Sequence, residues 1–129
     1  MHQRVGLLLV LFSTAALAAC GPTSNRPSTQ GQSALDVMER VAVAANSCWF
    51  KSGDAAFQSY QLSPELSSFS GRPRILLVRK GSRDDRPVLV VQAEGTPPRL
   101  DAFGPLLNED IAPRIREDVV RWANGNKGC

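Results

Sequence analysis

The chain falls into three stretches by the placement of its apolar residues. An apolar run covers Val5–Phe12 and continues through small residues to Ala16. Residues 21–32 carry no large apolar side chain. From Ser33 onward apolar residues return in periodic blocks. The 97 residues from Ser33 to Cys129 are the length of one small domain. Its first block predicts a helix. Leu35, Met38, Ala42, Ala45 and Trp49 recur at helical spacing, with Ala34, Val41 and Cys48 on the same side and Asp36, Glu39, Arg40 and Asn46 opposite. Ser33 followed three positions later by Asp36 has the form of a capping box, and Gly53-Asp54 is a stop.

The middle of the domain predicts strands. Ala55–Leu62 is a short strand, and Pro64, the serines at 67, 68 and 70, and Gly71 make the next connection loop-like. Ile75–Val78 and Val88–Val91 are aliphatic at every position, and each follows an Arg-Pro pair. The polar segment Arg79–Asp85 between them predicts an antiparallel hairpin. Gly95-Thr96-Pro97-Pro98 ends the second strand, and a loop carrying Leu100, Phe103 and Leu106 follows. Leu107, Ile111, Ile115, Val119 and Trp122 then form a helical stripe over Ile111–Ala123. Pro113 is tolerated in the first turn if Asp110 is the N-cap, and Asn124-Gly125 stops the helix. The order α-β-β-β-α predicts a small single α+β domain, an antiparallel sheet with two helices packed on one face.

Strands that are apolar on both faces ask for cover on both. Two short helices cover one face of such a sheet, so the other falls to the Leu100–Leu106 loop, to a partner protein, or to a second copy.

The N-terminus sets the compartment. Its apolar run is shorter than the about 20 residues that span a bilayer and follows a short segment with Arg4, the pattern of an export signal. Leu17-Ala18-Ala19-Cys20-Gly21 resembles the lipobox of the bacterial lipoprotein class, a likeness confined to residues 1–21. It implies a signal peptide over residues 1–19, cleavage before Cys20, and lipid attachment on that cysteine. The multiple acyl chains it implies would anchor the protein stably, where a single chain holds only marginally. It further implies a domain facing the periplasm. In a Gram-negative organism the membrane would be the outer one, because Gly21 stands where Asp favours inner-membrane retention. Ala16-Leu17-Ala18 also fits cleavage by the general signal peptidase, but that leaves an odd thiol in an oxidising compartment. With Cys20 lipidated, Cys48 and Cys129 remain and can pair, which predicts a structural disulfide. Residues 20–32 read as the lipidated cysteine and a flexible tether, reaching roughly 20 Å on average and about 40 Å when extended.

Charge and chemistry narrow the function. Lys and Arg number 15 against 12 Asp and Glu, a net charge of +3. That is too mild for a nucleic-acid binder. His2, the single histidine, leaves with the signal, so the mature chain lacks an imidazole for nucleophilic catalysis or metal ligation. Glycine-rich phosphate loops, paired Cys-x-x-Cys and nucleophile elbows are absent, Ser68-Phe69-Ser70-Gly71 lacking the elbow's first glycine. The adjacent carboxylates Asp84-Asp85, Glu109-Asp110 and Glu117-Asp118 fit turns, a helix start and a solvated helix side better than a catalytic pair. No enzyme, cofactor or metal is expected, and Trp49 and Trp122 are expected in the core. The expected role is a non-catalytic accessory or docking protein of the envelope. The alternative is a binding module for an anionic component, a lipid phosphate or an acidic glycan. Its candidate residues are Arg72, Arg74, Arg79, Lys80, Arg83 and Arg86, although cations at strand edges also serve to discourage aggregation.

Overall fold

In the computed structural model, residues 32–129 are described. The expected signal peptide, Cys20 and the expected tether as far as residue 31 lie outside the described residues. Helix α1 spans Ala34–Ala45, with Ser33 and Asp36 completing the capping box reciprocally. The helix runs on into a π-helical turn, Asn46–Lys51. The wider turn shifts the side-chain phase so that neighbouring Cys48 and Trp49 are both buried. The buried face of α1 is formed by Val37, Met38, Val41, Ala42, Ala44 and Ala45. Leu35, expected on that stripe, is 42% exposed: it sits in the first turn, at the margin of what the helix covers.

Four strands follow, β1 (Tyr60–Glu65), β2 (Arg74–Arg79), β3 (Leu89–Glu94) and β4 (Arg99–Phe103). They form an antiparallel meander in the order β1-β2-β3-β4. The fold is thus the expected small α+β domain with one strand more, α-β-β-β-β-α. The first predicted strand is displaced. Ala55–Phe57 forms a 3-10 turn capped by Asp54, and pairing starts at Tyr60. Pro64 belongs to β1 rather than to a loop. An edge strand has one side without ladder bonds, so a residue lacking an N–H is tolerated there. The fourth strand replaces the expected loop. Arg99-Leu100-Asp101-Ala102 alternates polar and apolar, and Leu100 and Ala102 pack on the core while Arg99 and Asp101 face solvent.

Helix α2 spans Ala112–Ala123 and runs beside α1, which lies over β2 and β3. Ile111 is its N-cap residue and no side chain caps it; Asp110, expected in that role, is one position too early. Pro113 sits in the first turn, where its missing N–H costs no helical bond. A 3-10 turn, Pro105–Asn108, links β4 to α2 and buries Leu106 in the core. It depends on Gly104, whose φ of 131° and closeness to the Val88 carbonyl leave no room for a Cβ.

The two helices, the 3-10 turns and one sheet face enclose a single core. Trp49 stacks on Phe57 with ring centroids 4.5 Å apart and meets Trp122 at 5.0 Å. Both tryptophans are buried, as expected, and both indole N–H groups are satisfied. Trp122 donates to Gly128 O at 3.0 Å and Trp49 to Asp118 Oδ2 at 2.8 Å. Asp118 was expected on the solvated side of its helix; it is buried. A buried carboxylate requires partners, and Arg121 Nη2 supplies a second at 2.6 Å. The Cys48 and Cys129 sulfurs form a disulfide, 81 residues apart in sequence.

Candidate functional site on the open sheet face

Register decides which strand residues face away from the helices. Ile75 and Leu77 pair with Val91 and Leu89 on the inner face, and all four are fully buried. The residues between them point the other way. One outward row is Ser63, Leu76, Val90 and Phe103, and the next is Glu65, Arg74, Gln92 and Asp101. Val78 stands beside Gln61 in the row before, and Arg99 beside Glu94 in the row after.

This face is apolar at one end and charged at the other. Leu76, Val78, Val90 and Phe103 form no part of the core cluster. Phe103 is 48% exposed, Leu76 and Val78 are half-buried, and Val90 is buried. Leu100 packs against the core and Leu106 is buried in it, while Phe103, the third residue of the segment named as possible cover, lies in the outward row as part of β4. The helix residues of the core cluster pack with the inner-face residues and not with Leu76, Val78, Val90 or Phe103. At the charged end Arg74 Nη2 reaches Glu65 Oε2 at 2.5 Å, Arg72 Nε reaches Glu94 Oε2 at 2.7 Å, and Arg99 also pairs with Glu94. The pairs lie along the sheet surface and leave the six charges of this end, Asp101 included, balanced.

The six cations grouped by the sequence are divided by the fold. Arg72 and Arg74 stand at the start of β2, the other four at or beyond its far end, about 17 Å away. Arg79 lies over the Tyr60 ring at 5.5 Å and 3.7 Å from Glu109. Arg86 is held by Asp84 at 2.8 Å. That contact keeps the Asp84 carboxyl below its usual range and raises Arg86 above its own. Lys80 and Arg83 make no ion pair among the described residues and stand exposed on the hairpin. The sequence does not bring the six to one surface because a strand intervenes between the two groups.

The acidic pairs are equally dispersed. Asp84 binds Arg86, Glu109 faces Arg79, and Asp118 is sealed under the tryptophans. Asp54 pairs with Arg114 across the domain, which holds its carboxyl below the usual range, assisted by the Ala56 N–H. Among the described residues no cluster of three or more His, Cys, Asp or Glu side chains is placed to hold a metal ion, and no helix is long and apolar enough to cross a membrane.

Sequence reasoning anticipated, from the unbroken aliphatic runs Ile75–Val78 and Val88–Val91, that both faces of the hairpin would want cover; the register adds that Leu76, Val78 and Val90 are the outward ones. It missed the contributions of Phe103 and of the charged rim, which depend on β4. The signal was the polar–apolar alternation of residues 99–102, four residues long and hidden behind two prolines. Compared with family models, curated proteins and solved structures, the chain matches none.

Proposed function

We propose that this protein is a non-catalytic docking lipoprotein of the bacterial envelope, anchored through Cys20 and meeting its partner through the open face of its sheet. The observation that carries this reading is the row Leu76–Val90–Phe103 with Val78, apolar side chains left outside the core on a four-stranded face. A sheet normally solvates one face with polar residues; here Phe103 stands 48% exposed beside half-buried Leu76 and Val78 within a polar rim, the anatomy of a small protein interface. The lipobox supplies the location. The tether keeps the domain within a few tens of ångströms of the membrane.

The anion-binding alternative rests on Lys80 and Arg83, the two hairpin cations without an ion pair among the described residues. Salt separates the readings, because binding through exposed charges weakens steeply with ionic strength and an apolar contact does not.

The test is in-membrane crosslinking of the full chain beside two variants. Cys20→Ser should lose lipoprotein processing and detergent-phase partitioning. Leu76→Glu should keep both and lose the crosslinked species. Unchanged crosslinking in Leu76→Glu and in Phe103→Glu would refute docking through this face.

A further inference from the structure

We infer that the occupant of the open face is a second copy of this chain, packed face to face about a two-fold axis that runs parallel to the strands. The inference rests on the docking reading and names its partner. Such an axis lays β1 of one copy over β4 of the other and β2 over β3, and keeps each row over the same row. Leu76 then meets Val90 of the second copy and Phe103 meets its Ser63, so the uncharged rows of each face cover the uncharged rows of the other. A two-fold axis across the strands would set apolar rows on charged ones, leaving Arg74 and Asp101 buried against hydrocarbon.

Charge supports the same arrangement. Read across the sheet at its charged end, β2 carries Arg74 with Arg72 two residues before it, and β3 carries Glu94. Laying β2 over β3 places each copy's Arg72 opposite the other's Glu94, so both in-sheet ion pairs join one network. Glu65 and Asp101 approach at the outer corners, where solvent screens them and Arg74 and Arg99 stand beside them. The whole charged end is neutral in each copy, so two copies bring no net repulsion to the contact.

The dimensions suffice for a modest interface. Four strands of about six residues give a face of about 19 by 20 Å. Two such faces, counted with their side-chain relief, bury on the order of 1,000 Å², the lower limit for a specific contact. Confinement of both copies to one membrane would raise their effective concentration. The helix layers end up outermost, and an axis standing normal to the membrane gives both tethers the same height above it.

The experiment places a photoreactive side chain at position 76 of the full, lipidated chain in its own membranes. The expected product has twice the chain's mass, with the crosslink mapped to β3 near Val90. Sedimentation of the detergent-solubilised full chain should show two copies, and Phe103→Glu should weaken that association on the order of 100-fold while the far-ultraviolet dichroism stays unchanged. Arg72→Glu and Glu94→Arg provide a second measurement. Each variant should self-associate weakly, and an equal mixture should associate, because only the mixed pair sets opposite charges face to face. A crosslink from position 76 to a different protein would overturn self-pairing and leave docking through this face intact. No crosslink from position 76 to any protein would overturn both. Failure of the two charge variants to associate with each other would overturn the proposed register.

Discussion

The Trp49 indole N–H and the Asp118 carboxylate meet at 2.8 Å although they stand 69 positions apart. Both are buried, so each is the other's remedy for lost water. Asp118→Ala should leave the indole N–H unpaired, at a cost of about 1–3 kcal/mol, and release Arg121 as well. In a domain of this size each kcal/mol lowers the melting temperature by roughly 4–8 °C. Trp49→Phe should destabilise by a similar route, and the double variant by clearly less than the sum. Urea denaturation of the four proteins measures the coupling, and additive losses would show the bond to be energetically idle.

Neighbouring residues on β2 should respond oppositely to the same substitution. Leu77 is fully buried on the inner face and Leu76 half-exposed on the outer. Leu77→Glu should unfold the domain, since a buried carboxylate without a partner exceeds the stability of a small protein. Leu76→Glu should stay folded, shifting the denaturation midpoint by no more than about 1 kcal/mol equivalent. Circular dichroism and denaturation of the two side by side decide whether the inner and outer faces are assigned correctly.

How much of this was legible in the sequence follows from the range of each interaction. The capping box, the aliphatic strands and the helical stripes are local patterns, and they appear where expected. The capping of α2 failed because Asp110 lies one residue outside the helix that formed. Leu35 and Asp118 failed for a different reason: periodicity names a face, and only packing decides how far around the helix burial extends. Asp118 is buried because Trp49, far away in sequence, needs an acceptor there. The outer face was half legible. Unbroken aliphatic runs announced that cover was wanted, while the rim of Glu65, Glu94 and Arg99 emerges only once β1 and β4 are paired in register.

The Cys48–Cys129 disulfide should contribute substantially to stability. Closing a loop of 81 residues restricts the unfolded chain by roughly 4 kcal/mol in the chain-entropy account. Cys48→Ser with Cys129→Ser should lower the denaturation free energy by up to that amount with the helices and sheet retained. Intact mass before and after reduction and alkylation checks the bond itself; two alkylated thiols without prior reduction would show that it does not form.

Acid should weaken the domain partly through Asp54. Its carboxyl is lowered from 3.8 by the side-chain hydrogen bond from Arg114. On acidification the unfolded state therefore takes up its proton first. The contribution is fully present above about pH 4 and is lost as pH falls through the lower folded value. Asp36 and Asp84 are lowered as well and act in the same direction. Asp54→Asn should flatten part of the decline in melting temperature between about pH 5 and about pH 2. An unchanged slope would mean that the pair does not outlast solvent competition.

Pro64 at one rim of the sheet and the short, charged β4 at the other bear on how many molecules can gather here. Neither margin favours an added strand: Pro64 withholds a donor, and β4 is only five residues long and carries the charges of Arg99 and Asp101. Growth sideways, the route to endless fibrils, is discouraged at both ends. In a face-to-face pair of the kind proposed, the open sheet face of each copy is occupied and offers no site for a third molecule. Assembly through it terminates at a pair instead of propagating.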